Sequence, residues 1–485
     1  MCRAGLKAVD ILRLEYNNEA MKYDPVTETL RTLALSFRAA GHPLYAVGGM
    51  VRNPLLGLPV SDADVCSSMR PDDVMALCKR MNASCLLKGA AFGTLDITVG
   101  AGEARETYEY ACFRSESYAQ GGAHRPETVA YSDSLEEDAF RRDFTVNAIY
   151  LDIVETRLID PTGGLADLDH KIIRATSPDP SVIMGDDALR ILRMARFAAQ
   201  LGFTIEARTL EAAKKHAAGL RAISPERIYD ELTKLLLADA RYGAGRESLL
   251  YGLQALHRCG AYEAILPELA ACADVAQKKQ YHAYDVLNHI LHATAAAPPE
   301  IALRWAMLFH DIGKPAALAS HGKMHGHELL GETMADAIML RLRFPTALRR
   351  EVGGLVRWHM YDLNSEAREA KVKKRFVELG RKTAHQLPDV READVRGSGL
   401  HEGFVPTAEK WRDLLNGMER EGAPFTEAEL ACTGDDIAQW LNIKPGARIG
   451  EIKHALLLHC ACKPSDNRYE KLRELAHNMQ RGGGA

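Results

Sequence analysis

The sequence predicts an α+β protein in which a mixed N-terminal third precedes a long helical remainder. Up to about residue 169, short runs rich in β-forming residues, such as residues 94–99, alternate with turns and a few helices. After Ser181 these strand patterns disappear, and apolar residues recur at helical spacing almost to the end. The 485 residues are enough for about three or four compact domains.

Composition excludes several classes of protein. Hydrophobic residues at 47% and charged residues at 26% argue against a disordered, collagen-like or disulfide-scaffold chain. The formal charge of −4 means that a polyanionic partner must be held by local basic patches. Ten scattered cysteines without a C-x-x-C pair indicate a reducing compartment. Charges interrupt every long apolar run, so we expect no signal peptide and no membrane span, and hence a cytoplasmic protein.

The elements can be justified in chain order. Apolar spacing predicts a helix over residues 27–40, and a strand at residues 44–47 ends in a glycine pair. A second helix is expected at residues 71–81, and strands at 94–99 and 148–153. We therefore predict an N-terminal extension and four structural parts, with these bounds: extension 1–24, mixed head 25–170, helical neck 171–240, helical body 241–400 and helical tail 401–485.

Two aspartates shortly after the first strand are candidate metal ligands. Gly48 and Gly49 let backbone amides approach a phosphate, and a helix beginning near Met50 would favour the anion further. Asp62 and Asp64 are two apart, so on a strand they point the same way and can share Mg²⁺. Such a magnesium site lowers the barrier to phosphoryl transfer. A solvated strand end is the alternative interpretation of this pair.

An arginine-rich string follows at residues 141–149. Arg141 and Arg142 offer planar donors for triphosphate oxygens, Asp143 can hold an arginine or a ribose hydroxyl, and Asn147 offers both a donor and an acceptor. These four residues are therefore candidate nucleotide ligands.

A third string, residues 185–197, is expected to be helical and to carry Asp187 and Arg190 on one face. An aspartate accepting from an exocyclic amine, beside a donating arginine, can recognise cytosine or adenine and reject guanine and uracil. A surface ion pair three residues apart is the alternative. Arg193 and Arg196 on the same helix are further candidate nucleotide ligands.

The helical half contains a separate set of metal-binding residue types. His289, the pair His310 and Asp311, and Asp394 fall on separate predicted helices. Imidazoles combined with carboxylates suit Mn²⁺, Ni²⁺, Co²⁺ or Zn²⁺. His327 and His359 are possible additional ligands, and the alternative is a scaffold that keeps its histidines in the core.

These strings together resemble the class II tRNA nucleotidyltransferases, or CCA-adding enzymes, and their relatives the bacterial poly(A) polymerases. The glycine turn with Arg52, the D-x-D, the 141–149 string and the Asp187 segment match that family's motifs. Two positions depart: Asn53 stands where the family usually has Asp, and Asp186 where it has Glu. The segment around residues 308–315 resembles the HD phosphohydrolase domain.

The resemblance implies a polymerase β-like nucleotidyltransferase head followed by an all-helical neck, HD body and tail. It implies that Arg52 contacts nucleotide and that Glu109 is a third catalytic carboxylate. Residues 118–137 would correspond to the family's mobile loop, in which Arg125 contacts RNA. Lys444, Arg448 and Lys453 would contact tRNA phosphates in the tail.

The expected reaction is addition of C, C and A to the 3′ end of tRNA from CTP and ATP, with Mg²⁺ as cofactor and pyrophosphate released. The HD site implies a second divalent transition metal and a possible phosphohydrolase activity. The alternatives are an enzyme that adds only CC, a poly(A) polymerase, a protein that is chiefly an HD phosphohydrolase, and an inactive tRNA-binding protein. The sequence leaves the oligomeric state open.

Overall fold

The structure, a computed structural model, describes residues 21–89, 93–117, 128–401 and 403–482. The chain divides into two compact units, one ending at Leu266 and the other beginning at Pro267. Among the described residues, no helix is both long and apolar enough to cross a membrane.

A seven-stranded mixed sheet forms the centre of the head in the first unit. Its strand order is β3-β4-β5-β2-β1-β8-β9. Two further sheets of two strands each pair β6 with β7 and β10 with β11. The strands are β1 Tyr45–Val47, β2 Asp64–Ser67, β3 Ser84–Gly89, β4 Thr94–Val99, β5 Glu106–Cys112, β6 Arg114–Ser117, β7 Thr128–Tyr131, β8 Tyr150–Asp152, β9 Arg157–Ile159, β10 Ile172–Ile173 and β11 Thr204–Ile205.

The first helices of this unit pack against the strands, and the later helices pack against one another. After the head, α7 packs against α9 and α11. The helices are α1 Glu28–Ala39, α2 Gly49–Leu56, α3 Pro71–Arg80, α4 Leu135–Phe140, α5 Gly164–Asp169, α6 Pro180–Asp186, α7 Leu189–Leu201, α8 Ala207–His216, α9 Pro225–Leu236, α10 Ala238–Arg241, α11 Arg246–Arg258 and α12 Ala261–Ile265.

The regular structure described in the second unit is helical. Helix α14 packs against α15 and α20, and α17 packs against α18. The helices are α13 Pro267–Ala270, α14 Val286–Ala296, α15 Ile301–Phe309, α16 Lys314–His321, α17 His327–Arg341, α18 Thr346–Trp358, α19 Glu369–Leu379, α20 Arg381–Gly397, α21 Pro406–Arg420, α22 Gly434–Leu441, α23 Ala447–Cys462 and α24 Tyr469–Gly482.

The predicted fold class is confirmed, with one local error. Helices α1 and α3 and strands β1, β4 and β8 occur where the sequence pattern placed them. The expectation that strands end before residue 181 was wrong, because β11 pairs in parallel with β10. Two residues are too short for an alternating pattern to be visible in sequence. The cysteines of the described residues from Cys66 to Cys462 are free thiols.

Candidate active site and metal cluster

Three carboxylates meet at one end of the central sheet, and we call Asp62, Asp64 and Glu109 the carboxylate site. Asp64 is the first residue of β2, and Glu109 lies directly opposite it on the parallel strand β5. Asp62 was expected on the strand, but it lies in the segment just before it. Its side chain is 65% exposed, whereas that of Asp64 is half-buried. The strand therefore fixes Asp64, and Asp62 depends on other contacts for its orientation.

The glycine turn after β1 makes room for this site. Gly48 has a φ of 66°, in the left-handed region, and a Cβ there would lie 3.2 Å from the Asp64 Oδ2 atom. Helix α2 begins at Gly49, as the sequence predicted. A side chain at residue 48 would be both strained and in the way of the carboxylate.

Burial and neighbouring charges make Asp64 hard to ionise. Burial is the main cause that raises the pKa of Asp64 to about 6, and Glu109 and Asp62 raise it further while Arg142 opposes them. Carboxylates that repel one another in this way are stabilised by a hard divalent cation, for which oxygen ligands are preferred. Asp62 and Asp64 therefore fit Mg²⁺ as its ligands.

A fourth carboxylate and a lysine adjoin this site and were missed by sequence analysis. Asp96 on β4 lies directly opposite Glu109. Lys88 on β3 places its Nζ 2.8 Å from Asp96 Oδ2 and 3.5 Å from Glu109 Oε1. Lys88 thus partly neutralises Glu109, which makes Glu109 less available to a cation than Asp64. Cross-strand register places Asp96 opposite Glu109, and Lys88 lies where the pairing of β3 with β4 shifts register. Neither feature is visible in a single strand's sequence.

Asn53, the position that departs from the family motif, is fully bonded as an amide. Its Oδ1 accepts from Arg52 Nε at 3.1 Å and Nη2 at 2.9 Å. Its Nδ2 donates to the Pro59 carbonyl and the Tyr242 hydroxyl, both at 2.8 Å. Arg52 also donates to Asn147 Oδ1. Burial lowers the pKa of Arg52 to about 10, and no carboxylate is bonded to it in these contacts.

Asp138 holds the two arginines of the 141–149 string. Asp138 is fully buried, with Arg141 Nε 2.9 Å from Oδ1 and Arg142 Nε 3.0 Å from Oδ2. The Tyr150 hydroxyl donates to the same Oδ2 at 2.8 Å. Burial alone would raise the pKa of Asp138, but the two guanidinium groups outweigh it and lower the pKa to about 2. An acid three and four residues before two arginines on a helical segment was the signal that sequence analysis overlooked.

Asp143 ties the arginine string to helix α7. Its Oδ1 accepts from Asn147 Nδ2 at 3.0 Å, and its Oδ2 accepts from Arg193 Nε at 2.8 Å. Glu231 on α9 accepts from Arg196 Nε at 2.7 Å. The predicted nucleotide ligands Arg193 and Arg196 thus both have carboxylate partners within the protein, which fixes their planes but occupies part of their donor capacity.

The predicted base-reading pair has a different setting from the one expected. Asp187 lies in the link between α6 and α7 with extended backbone, so it does not share a helix face with Arg190. Arg227 Nη2 lies 2.9 Å from Asp187 Oδ2. Arg190 is buried and donates to the carbonyls of Ile183 at 3.0 Å and Arg141 at 2.7 Å. Arg227 and Glu231, one turn apart on α9, thus bind different partners, because Glu231 accepts from Arg196.

In the second unit, six buried residues from five parts of the chain converge, and we call them the HD cluster. Its members are His289, the adjacent pair His310 and Asp311, His327, His359 and Asp394. Five of them make up two candidate metal-ligand sets that share Asp311, one with His289 and His310 and the other with His327 and His359. Asp394 Oδ1 lies 3.1 Å from His289 Nε2. The two oxygens of Asp311 contact different sets. Oδ2 lies 3.3 Å from the Nε2 atoms of His289 and His310, and Oδ1 lies 3.0 Å from the Nε2 atom of His327.

Three of these histidines have their tautomer fixed by the main chain. The Nδ1 atoms of His310, His327 and His359 lie 2.7 to 2.8 Å from the carbonyl oxygens three residues before them. A carbonyl can only accept, so each Nδ1 carries the proton and each neutral ring presents its Nε2 lone pair to the cluster. This orientation of histidine is usual in metal sites.

The Nε2 atoms of the four histidines face one another in pairs across the cluster. His289 Nε2 lies 3.1 Å from His310 Nε2, and His327 Nε2 lies 3.2 Å from His359 Nε2. Neither oxygen of Asp311 has a hydrogen bond of normal geometry, although Lys314 Nζ lies 2.5 Å from Oδ2 as an ion pair. Convergent lone pairs and an unsatisfied buried carboxylate fit a divalent cation with nitrogen and oxygen ligands. The predicted ligands are thus brought together, and His327 and His359 join them.

The predicted RNA contacts lie elsewhere. Lys444 and Arg448 are exposed near the start of α23, and Arg448 Nη1 lies 2.8 Å from Glu451. Lys453 is half-buried on the same helix. Arg125 falls outside the described residues. These RNA contacts remain predictions.

A glycine turn before a helix, strand-borne carboxylates and a bonded arginine string define the class as a nucleotidyltransferase, here with an HD cluster in the second unit. Family models match the chain in the same order. A Poly A polymerase head domain matches residues 44–174, a probable RNA and SrmB-binding site of polymerase A matches 202–272, and an HD domain matches 280–396.

Curated relatives agree over most of the chain. A multifunctional CCA protein of Pseudomonas aeruginosa is 35% identical over 439 residues, which cover 85% of this chain and 96% of the relative. An A-adding tRNA nucleotidyltransferase of Deinococcus radiodurans is 32% identical, covering 84% and 89%. The chain belongs to the tRNA nucleotidyltransferase and poly(A) polymerase family, and it is a nucleotidyltransferase.

Solved structures share the fold. The Bacillus stearothermophilus CCA-adding enzyme in complex with CTP has a TM-score of 0.67 at 24% identity, covering 94% of this chain and 98% of that one. The Thermotoga maritima CCA-adding enzyme complexed with tRNA has a TM-score of 0.56 at 16% identity, covering 94% and 97%.

Proposed function

We propose that this protein adds CCA to the 3′ end of tRNA from CTP and ATP, releasing pyrophosphate, with Mg²⁺ as cofactor. The observation that carries the proposal is the carboxylate site beside the Gly48 turn, with Asp64 next to Arg142, in a chain that is 35% identical to a CCA protein over 85% of its length. The fold similarity to CCA-adding enzymes supports it.

The head residues divide the chemistry between them. Asp62 and Asp64 would hold Mg²⁺, which supplies charge neutralisation for in-line nucleotidyl transfer. The amides after Gly48 and the guanidinium of Arg52 would contact the triphosphate. Arg142 is oriented by Asp138 and keeps a positive charge beside Asp64. Asp143 keeps Arg193 and Asn147 in fixed positions.

Base selection is assigned to Asp187 and Arg190. A carboxylate accepts from the exocyclic amine of cytosine or adenine, and it repels the carbonyl that guanine and uracil present there. Arg227 donates to Oδ2 of Asp187 and the Leu189 amide donates to Oδ1, so the base amine would meet a second lone pair of one of these oxygens. Arg190 uses two of its five N–H donors on carbonyls, so others remain for a ring acceptor.

A narrower activity, addition of the terminal A alone, has a specific observation in its favour. The Deinococcus radiodurans relative, 32% identical over 84% of this chain, is an A-adding enzyme. Addition of CC alone and synthesis of a poly(A) tail use the same nucleotidyl-transfer chemistry, so they are also tested below.

A tRNA extension assay separates these activities. Three transcripts are supplied, ending at the discriminator base, at the first C and at CC, with labelled CTP and ATP given singly and together in Mg²⁺. The proposal expects extension of all three transcripts to CCA, and three added nucleotides on the shortest one only when both triphosphates are present. Asp64→Asn is the inactive control.

Each different outcome contradicts the proposal. Extension of only the CC-ending transcript would identify an A-adding enzyme, and a stop at CC would identify a CC-adding one. A long adenine ladder would identify a poly(A) polymerase. No extension of any transcript would leave a tRNA-binding or phosphohydrolase role.

The boundaries and the RNA contacts belong to the same proposal. We assign the head to residues 25–170, the neck to 171–240, the body to 241–400 and the tail to 401–485. Lys444, Arg448 and Lys453 would contact tRNA phosphates in the tail, and Arg125 would do so in the loop of the head. Free thiols and a tRNA substrate support a cytoplasmic location.

A second activity is supported by the HD cluster. Its facing Nε2 atoms and the unsatisfied Asp311 suit Mn²⁺, Ni²⁺, Co²⁺ or Zn²⁺, and such a cation supplies Lewis-acid activation for phosphoester hydrolysis. Purified protein, stripped of metal and reloaded with each ion in turn, would be tested on RNA 2′-, 3′- and cyclic phosphate ends. Hydrolysis that survives Asp64→Asn and is lost in Asp311→Asn is expected. Metal uptake without hydrolysis would reduce the cluster to a structural site.

A further inference from the structure

The end of helix α10 contacts the carboxylate site in the head. Arg241 Nη2 donates to Ser61 Oγ at 2.6 Å and lies 3.4 Å from Asp62 Oδ2. Ser61 Oγ in turn donates to the same Oδ2 at 3.0 Å. Both donors therefore act on one oxygen of Asp62, and the other oxygen is left to face a cation. Because Asp62 precedes β2 and is largely exposed, β2 does not set this orientation.

The next residue contacts the other half of the site. The Tyr242 hydroxyl accepts from Asn53 Nδ2, and Asn53 accepts twice from Arg52. Tyr242 is half-buried, and Arg52 is buried. Two consecutive residues thus hold the exposed metal carboxylate and the buried arginine of the same site. Neither Arg241 nor Tyr242 belongs to a motif that the sequence made visible.

We propose that Arg241 and Tyr242 are positioning residues for nucleotidyl transfer. Arg241 turns the free oxygen of Asp62 toward the magnesium position, and Tyr242, through Asn53, fixes the plane of Arg52 beside the triphosphate position. This inference rests on the proposed function only for the identity of the nucleotides. Orientation by a neighbour is valuable because an exposed side chain that is already ordered loses less rotamer freedom when it binds a ligand.

The test measures binding without turnover. Binding of labelled CTP to the full-length protein is measured without tRNA while the Mg²⁺ concentration is varied. The HD cluster should not affect this measurement, because its imidazoles disfavour Mg²⁺. Arg241→Gln is expected to raise the Mg²⁺ concentration for half-maximal CTP binding about fivefold. Arg241→Lys, which keeps a donor for Ser61, is expected to recover part of this loss. The matched control is Arg246→Gln, which removes the same charge from an exposed arginine that lies 3.3 Å from Glu247.

Tyr242→Phe tests the role of Tyr242 separately from that of Arg241. It removes the hydroxyl that accepts from Asn53 and keeps the ring that faces the Arg241 guanidinium. It is therefore expected to weaken CTP binding about threefold at saturating Mg²⁺ and to change the Mg²⁺ midpoint less than Arg241→Gln does. In extension assays the same variant should raise the KM for CTP and leave kcat near that of the wild type.

Three results would overturn the inference. An unchanged Mg²⁺ midpoint in Arg241→Gln would show that Arg241 does not orient Asp62, and a lowered midpoint would show that it competes with the cation. An unchanged CTP affinity in Tyr242→Phe would remove Tyr242 from the positioning pair. Failure of the wild type to extend tRNA would contradict the proposed function and leave these binding results interpretable.

Discussion

The arginine string of the head and the HD cluster balance their charges in opposite ways. In the head, built-in arginines offset the acids: Arg141 and Arg142 bind Asp138, and Arg193 binds Asp143. In the HD cluster, histidine Nε2 atoms face one another and surround Asp311, which also forms an ion pair with Lys314. The head is therefore expected to fold fully without a cation. The HD cluster is expected to gain stability from one.

The largest effect is expected at the head and should leave the HD cluster untouched. Asp64→Asn removes a metal ligand from the sheet, and nucleotide addition should fall at least about 10³-fold, about 4 kcal/mol of barrier. The melting temperature should not fall, because burial already disfavours the charged form of Asp64. Extension assays and thermal unfolding measure both. Asp72→Asn, which changes an exposed acid on α3, is the control. Activity within tenfold of the wild type would contradict the assignment of Asp64.

Asp138 tests whether the arginines of the head are held by internal acids. Asp138→Asn leaves two partly buried guanidinium groups without this charged partner and should cost about 3 kcal/mol in the free energy of unfolding near pH 7. Denaturant titration of the first unit measures this cost. Asp133→Asn, which breaks an exposed contact with Arg70, should change little.

The difference in stability between the wild type and Asp138→Asn should depend on pH in one direction. The pKa of Asp138 is about 2 in the folded protein, below the ordinary value of about 3.9. A lowered pKa means that the carboxylate stabilises the folded state fully above about pH 4, and that this stabilisation is lost as the pH falls toward 2. The gap between wild type and Asp138→Asn should therefore narrow over that interval. A gap that widens on acidification would contradict the role given to Asp138.

Metal removal tests whether a cation stabilises the HD cluster. Chelated protein should melt at a lower temperature, and Mn²⁺ at about a hundred times its dissociation constant should add about 2.7 kcal/mol to the stability of the second unit. Differential scanning calorimetry would show the shift. The shift should persist in Asp64→Asn and vanish in Asp311→Asn. If the shift is lost in Asp64→Asn and persists in Asp311→Asn, the stabilising cation binds in the head.

The smallest effect is expected from restoring the family residue at position 53. Asn53→Asp would neutralise Arg52 but would set a carboxylate oxygen against the Pro59 carbonyl that now accepts from the amide. The two changes oppose each other, so stability should change by less than about 1 kcal/mol. CTP affinity should fall two- to threefold, because the arginine charge would be offset. Equilibrium CTP binding measures this, and an increase in affinity would contradict it.

The sequence was most informative where function requires contiguous residues. The glycine turn, the 141–149 string and the His310-Asp311 pair are local, so their chemistry could be predicted before any fold was known. The helical second unit followed from the 3.6-residue period.

Sequence analysis failed where distant elements determine a contact. Asp96 enters the site through strand register, and Lys88 enters it where the register of β3 on β4 shifts. Arg227 reaches Asp187 from another helix. Arg241 contacts Asp62 although nearly 180 positions separate them. The prediction that Asp187 and Arg190 share a helix face was wrong because helix α6 ends just before Asp187. An aspartate that bonds the amide of Leu189 interrupts the helical pattern at that point.

The ligands of the HD cluster are spread over a long stretch of chain, from His289 on α14 to Asp394 on α20. A cation held by all of them would act as a cross-link closing a loop of about a hundred residues, and it would restrict the unfolded chain much as a covalent bond does. Fragments produced by proteolytic cleavage between α17 and α18 should then remain associated, and should separate when a chelator is added.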